Sequence, residues 1–175
     1  MKRPAISLLP LAMLANPSAV HATVYLTAEQ AQQQMLPGEI LRPDFRQLTP
    51  EQIEAIRKAS GEAPLGPQVK AWRASGGGWL IVDEVVGKHE FITFALALDA
   101  AGGVKGVEIL DYREAYGAQV RDLRWRAQFT GKHAGQPLRL GNEVKNISGA
   151  TLSSKHVTDG VRRLLATYAI VLAHG

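Results

Sequence analysis

Residues 90–98 read EFITFALAL. Ile92, Phe94, Leu96 and Leu98 alternate with Thr93, Ala95 and Ala97. A period of two belongs to a strand, whose successive side chains point to opposite sides of a sheet, and not to a helix with its period of 3.6. One face is bulky and suits packing on helices. The other is small and leaves room to receive something flat.

The same period extends to both sides. Val69-Lys70-Ala71-Trp72-Arg73 precedes Gly76-Gly77-Gly78, then come Trp79 to Val86, the 90–98 run, and Val104 to Leu110. Glycines at 76–78, 87 and 102–103 punctuate these runs as hairpin turns, so the sequence predicts an antiparallel meander of about four strands. Helical signals flank it. Thr27 with Gln30 opens a short helix through about Leu36. Thr49-Pro50-Glu51-Gln52 opens another, with a hydroxyl cap, a first-turn proline and a glutamine to close the capping box, and Gly61 ends it. A third helix is expected over Ala118 to Gln128, with Val120, Leu123 and Ala127 buried and Trp125 off that stripe. The last is the clearest: Val157, Val161, Leu164, Leu165, Tyr168, Val171 and Leu172 recur at helical spacing, with Asp159, Arg162, Arg163 and Thr167 on other faces. The fold class is therefore α+β, a sheet with packed helices in a single domain.

A chain of 175 residues, 46% hydrophobic and 21% charged, suits one globular domain with a substantial core. Residues 1–22 read as an export signal: Lys2 and Arg3, then an uncharged, mostly apolar stretch, then Val20-His21-Ala22 as a small-residue cleavage site. Proline interrupts the stretch at position 10, and it falls short of the ~20 apolar residues that span a bilayer. On this reading cleavage follows Ala22, residues 23–67 form an N-terminal helical segment, residues 68–175 form the main domain, and the mature protein is periplasmic. Losing Lys2 and Arg3 lowers a formal charge of only +4. No basic run with interleaved aromatics appears, and Arg121, Arg124, Arg126, Arg162 and Arg163 have spacings ordinary for solvated helix faces, so nucleic acid is not an expected partner. The absence of cysteine excludes thiol chemistry and disulfides. No histidines stand at metal-ligand spacing.

The chemistry concentrates in NISGATLSS, residues 146–154, at the start of the last helix. Thr151, Ser153 and Ser154 each suit an N-cap, whose hydroxyl satisfies orphan N–H groups. One cap needs one hydroxyl, however. Ser148-Gly149-Ala150-Thr151 also supplies a nearly bare backbone leading to an exposed hydroxyl, where helix N–H groups can receive a phosphate. A serine hydrolase built from Ser153-Ser154-Lys155-His156 is disfavoured, since successive side chains on a helix diverge by about 100°.

The run Ser148-Gly149-Ala150-Thr151-Leu152-Ser153-Ser154 resembles the flavinylation motif of the FMN-binding domain family, found in subunits of sodium-translocating and related ferredoxin-linked redox complexes and in nitrous oxide reductase regulatory flavoproteins. Upstream, Gly87 to Glu90, Val107 to Gly117 and Arg124 to Lys132 resemble that family's strand, its Glu-containing turn ending in glycine, and its aromatic-plus-Gln-Phe-x-Gly segment. The likeness covers roughly residues 80–172. It implies that Thr151 carries FMN through a phosphoester made by a flavin transferase. It also implies that Ser148, Gly149, Ala150, Leu152, Ser153, Glu114, Tyr116 and Gly117 lie about the cofactor. Trp125 and His89 are weighed beside the ring or simply at the surface. The implied role is an exported electron carrier, not an enzyme, that relays between a membrane reductase or respiratory complex and an extracytoplasmic acceptor. Peripheral contact with the membrane is compatible with that role. The alternative is a flavin-free binding or sensory module on the same fold. In one respect the chain departs from the family, with Lys145 where an acidic residue often stands, six positions before the threonine.

Overall fold

The computed structural model describes residues 23–174. The expected export signal, residues 1–22, lies outside them. Seven strands form one antiparallel sheet: β1 (Thr23–Val24), β2 (Leu41–Pro43), β3 (Arg46–Gln47), β4 (Gln68–Ala74), β5 (Trp79–Val86), β6 (Phe91–Leu98) and β7 (Val104–Tyr112). Their order is β1-β7-β6-β5-β4-β2, with β3 also paired to β4. The four long strands are the expected meander, and the short ones extend its two edges. Four α-helices accompany the sheet: α1 (Ala28–Met35), α2 (Pro50–Ser60), α3 (Leu123–Arg126) and α4 (Thr151–Thr167). Thr27 with Gln30 and Thr49 with Gln52 form complete capping boxes on α1 and α2, and Gly61 closes α2 with φ 81°.

Strand β6 sits at the centre, where Phe94 faces Asp83 of β5 and Ile109 of β7. Its bulky side chains join one core with Val157, Val161, Leu164 and Leu165 of α4. Helix α4 approaches the sheet closely at Gly160: a Cβ there would lie 2.6 Å from Val85 Cγ1 and 2.9 Å from Phe94 Cζ. Gly160→Val is therefore expected to cost roughly 1–3 kcal/mol, by forcing the helix off the sheet. The midpoint of urea unfolding checks this, and an unchanged midpoint would contradict the packing.

The small face of β6 does not receive a ligand. Ala95 and Ala97 are buried with Leu80 and Leu110 under Ala31 and Leu36, at and just beyond α1. The alanines let that short helix lie close to the sheet, and this is their function. Nor does one helix run from 118 to 128. A 3-10 turn, Ala118–Arg121, stops at Asp122, whose carboxylate accepts the Trp125 N–H at 3.0 Å and starts α3 afresh, before a second 3-10 turn, Ala127–Phe129. The restart changes the phase of burial: Trp125 is 5% exposed and Leu123 70%. The larger apolar ring takes the core position, edge-on to Phe129 with centroids 5.3 Å apart.

Two of the arginines assigned to solvated faces are also removed from water. Arg163 is buried with its guanidinium 2.7 Å from Asp83 Oδ2 and 2.7 Å from the Glu84 carbonyl. Arg126 pairs with Glu108 and donates to the Val107 carbonyl. Helical spacing alone put both on the outside, whereas their charges are met by groups far along the chain. Thr167 is buried too, its hydroxyl donating to the Arg163 carbonyl. The apolar series of the last helix continues beyond α4 as a π turn, Tyr168–Leu172, which ends on buried Leu172.

Candidate functional site

Three segments meet around a cleft of about 440 Å3. The β5–β6 turn contributes Lys88 and His89, the turn after β7 contributes Glu114 to Gly117, and the start of α4 contributes Gly149 to Ser153. Of the residues implied to lie about the cofactor, all but Ser148 line this space. Ser148 is exposed immediately before it in the chain.

Thr151 is the first residue of α4 and is exposed, and it does not cap the helix. The cap position belongs to Ala150, with φ −130° and ψ 25°, and no side chain bonds to the opening N–H groups. This follows from the turn before it. Gly149 takes φ 81° and the Ala150 N–H donates to the Ile147 carbonyl at 3.0 Å, so the helix begins one residue too early for Thr151 to reach back. Helix N–H groups without a side-chain cap, at the positive end of the macrodipole, favour an anion. The other two hydroxyls proposed as caps are turned inward. Ser153 lies 2.9 Å from the Tyr112 hydroxyl, and Ser154 is fully buried.

Gly117 closes the floor. Its φ is 98°, and a Cβ would lie 2.5 Å from both Ser153 Oγ and Tyr112 Oη. The Tyr112 hydroxyl also donates to the Tyr116 carbonyl, fastening the turn to the end of its own strand. Burial raises the Tyr112 pKa above the ordinary phenol value. Tyr112 stands in the segment that carries the resemblance, but nothing in the sequence marks it as part of the floor.

Glu114 joins the other two walls. Its carboxylate accepts the N–H groups of His89 and Glu90, the second at 3.0 Å, and so ties the β5–β6 turn to the turn after β7. Burial alone would raise its pKa, but the backbone N–H groups of Glu90, His89 and Lys88 outweigh it and hold the carboxyl below the usual glutamate value. A carboxylate whose folded pKa is depressed stabilises the protein above its unfolded pKa, and that stability is lost as pH falls through the folded value. Glu114→Gln is therefore expected to be less stable than the parent at neutral pH, with the gap closing as the pH drops below the ordinary glutamate range. Paired melting curves at pH 7 and in acid check it; a gap independent of pH would refute it.

The rim is apolar. Tyr116 is 86% exposed and Leu152 46%. His89 is exposed on the facing turn. Trp125 is absent from the cleft: its indole N–H donates to the Lys145 carbonyl at 2.7 Å, behind the loop that leads to Thr151. Asn146, the first residue of the NISGATLSS run but not among the expected site residues, donates from Nδ2 to Thr151 Oγ1 at 3.0 Å. Among the described residues no group of three or more His, Asp or Glu side chains is placed to hold a metal ion.

The chain is similar to known proteins over the segments that form the cleft. The family model of the FMN-binding domain matches residues 87–166, which include all three walls of the cleft. The chain is 31% identical over 123 residues to one of the subunits of the Na(+)-translocating ferredoxin:NAD(+) oxidoreductase complex of Acetobacterium woodii. That match takes in 65% of this chain and 53% of the relative, so the chain spans about half the length of the curated relative it matches. In fold it is similar to the crystal structure of one of the subunits of the Na(+)-translocating NADH-quinone reductase from Parabacteroides distasonis, with a TM-score of 0.57, 15% identity, and coverage of 82% of this chain and 83% of the other. Residues 87–166 thus match the FMN-binding domain family.

Proposed function

We propose that the protein is an exported electron carrier whose FMN is esterified through its phosphate to Thr151. The observation that carries this reading is the exposed Thr151 hydroxyl at an uncapped helix start inside a 440 Å3 cleft. The residues present fit the group. The opening N–H groups of α4 favour a phosphodiester by roughly 0.3–1 kcal/mol, and Gly149 and Ala150 allow close approach to the backbone, with Ser148 exposed beside them. Tyr116 and Leu152 offer apolar surface to a flat ring, His89 faces it from the opposite turn, and Ser153, Gly117 and Glu114 hold the floor and walls in place. FMN, when bound, supplies the redox chemistry; the protein supplies attachment, orientation and shielding.

Covalent attachment, made by a flavin transferase, suits a protein exported to a compartment where a cofactor held at a micromolar dissociation constant, about −8 kcal/mol, would be lost by dilution. The cleft opens at the surface, as exchange with partners requires. Both relatives are subunits of sodium-translocating oxidoreductases, which supports a membrane reductase or respiratory complex as the electron donor. No described helix is long and apolar enough to cross a membrane. Expression of the full chain with a flavin transferase, followed by intact-mass measurement, tests the proposal. The expected product is heavier by one FMN minus water, on the peptide containing Thr151, and is recovered from the periplasm. An unmodified product favours the flavin-free binding or sensory module.

A further inference from the structure

We propose that Asn146 is a positioning residue for the esterification of Thr151, held in place by a clamp that Trp125 and Gln128 close on Lys145. The inference rests on the covalent reading given above.

Both backbone groups of Lys145 are engaged. Its carbonyl accepts the Trp125 indole N–H at 2.7 Å, and its N–H donates to Gln128 Oε1 at 2.8 Å. Gln128 is itself held, its Nε2 donating to the Trp125 carbonyl at 3.0 Å. Trp125 is anchored by burial against Phe129. Residue 145 is thus fixed through its main chain, and its exposed side chain takes no part in holding the loop. Lysine can stand here, where the family often has an acid, without disturbing the residues that follow. The next residue is Asn146, and its amide reaches across five positions to Thr151 Oγ1 at 3.0 Å.

That contact matters to the hydroxyl's chemistry. A threonine hydroxyl has one proton and two lone pairs, and in a helix it readily turns back to bond a carbonyl three or four residues earlier. The carbonyl four residues earlier, Ile147, already accepts the Ala150 N–H. Asn146 occupies one lone pair and sets the rotamer. The other lone pair and the proton are left for reaction at the mouth of the cleft. The phosphate monoester of FMN has no adequate leaving group, so the donor must be a flavin pyrophosphate such as FAD. The Thr151 Oγ–P bond forms, the P–O–P anhydride bond breaks, AMP departs with the bridging oxygen, and the hydroxyl proton passes to a base of the transferase. No group changes oxidation state.

Labelling of the full-length chain by a purified flavin transferase and FAD, read by intact mass and in-gel fluorescence while the acceptor chain is varied, tests the assignment. Asn146→Ala is expected to lower kcat for labelling by roughly ten- to a hundredfold through loss of orientation, with KM for the acceptor chain and the thermal melt unchanged. Trp125→Phe, which keeps the ring and loses the N–H, is expected to slow labelling in the same sense. Wild-type kcat in Asn146→Ala overturns the proposal, as does a loss confined to KM, which would make Asn146 a contact for the transferase. A wild-type chain that accepts no flavin overturns the covalent reading, and this inference falls with it.

Discussion

Thr151→Ala is expected to abolish covalent flavin while leaving the fold intact. The variant should be colourless, should show no fluorescence on a denaturing gel, and should have the mass of the bare chain. The effect is all or none because no neighbouring oxygen can substitute. Ser153 is buried and bonded to Tyr112, Ser154 is fully buried, and Ser148 lies in the preceding loop, outside the cleft lining. The stability cost should be small, within about 0.5 kcal/mol, as is usual for exposed positions that carry no special contact. Thr151 caps nothing, and its hydroxyl makes one exposed bond, to Asn146. Thr151→Ser keeps the oxygen and should retain labelling. If Thr151→Ala still carries flavin through denaturation, the attachment point is elsewhere and the reading of the cleft is wrong.

Gly117→Ala should produce the largest loss of stability among changes at the site, and flavin retention should fall with it. Two costs add. A side chain in the left-handed region costs roughly 1–2 kcal/mol, and crowding a packed site adds roughly 1–3 kcal/mol. Both apply because φ is 98° and the new Cβ would lie 2.5 Å from Ser153 Oγ and Tyr112 Oη. Relief requires either hydroxyl to move, and the bond between them holds the α4 start against the end of β7. Gly149 makes the contrast: it has φ 81°, but nothing lies within 4 Å of a Cβ there, so only the backbone cost applies. Denaturant midpoints of the two alanine variants measure the difference. Equal losses would show that the Ser153–Tyr112 floor is not rigid.

Local signals carried much of the architecture. Alternation in EFITFALAL marked β6, and the Thr49-Pro50-Glu51-Gln52 cap and the Val157 to Leu172 series marked two helices, because each depends on residues a few positions apart. The fate of Trp125, Arg163 and the Ala95-Ala97 face was hidden, because each depends on a partner distant in sequence. Asp83 lies 80 positions from Arg163, and α1 covers alanines more than 60 residues further on. Asp122 is the local exception: apolar periodicity is blind to a cap in mid-segment, and that one carboxylate inverts the burial of Leu123 and Trp125.

The same division runs through the site. The residue types around Thr151, their order, and their likeness to a flavinylation motif are properties of the chain read in line, as are the bare backbone and the hydroxyl that a phosphate needs. The assembly of three walls into one cleft, the exclusion of Thr151 from the cap, and the amide of Asn146 on its oxygen were decided only by the folded arrangement. Hydrogen bonds and steric limits act across space, and a linear pattern reports them only when space and sequence coincide.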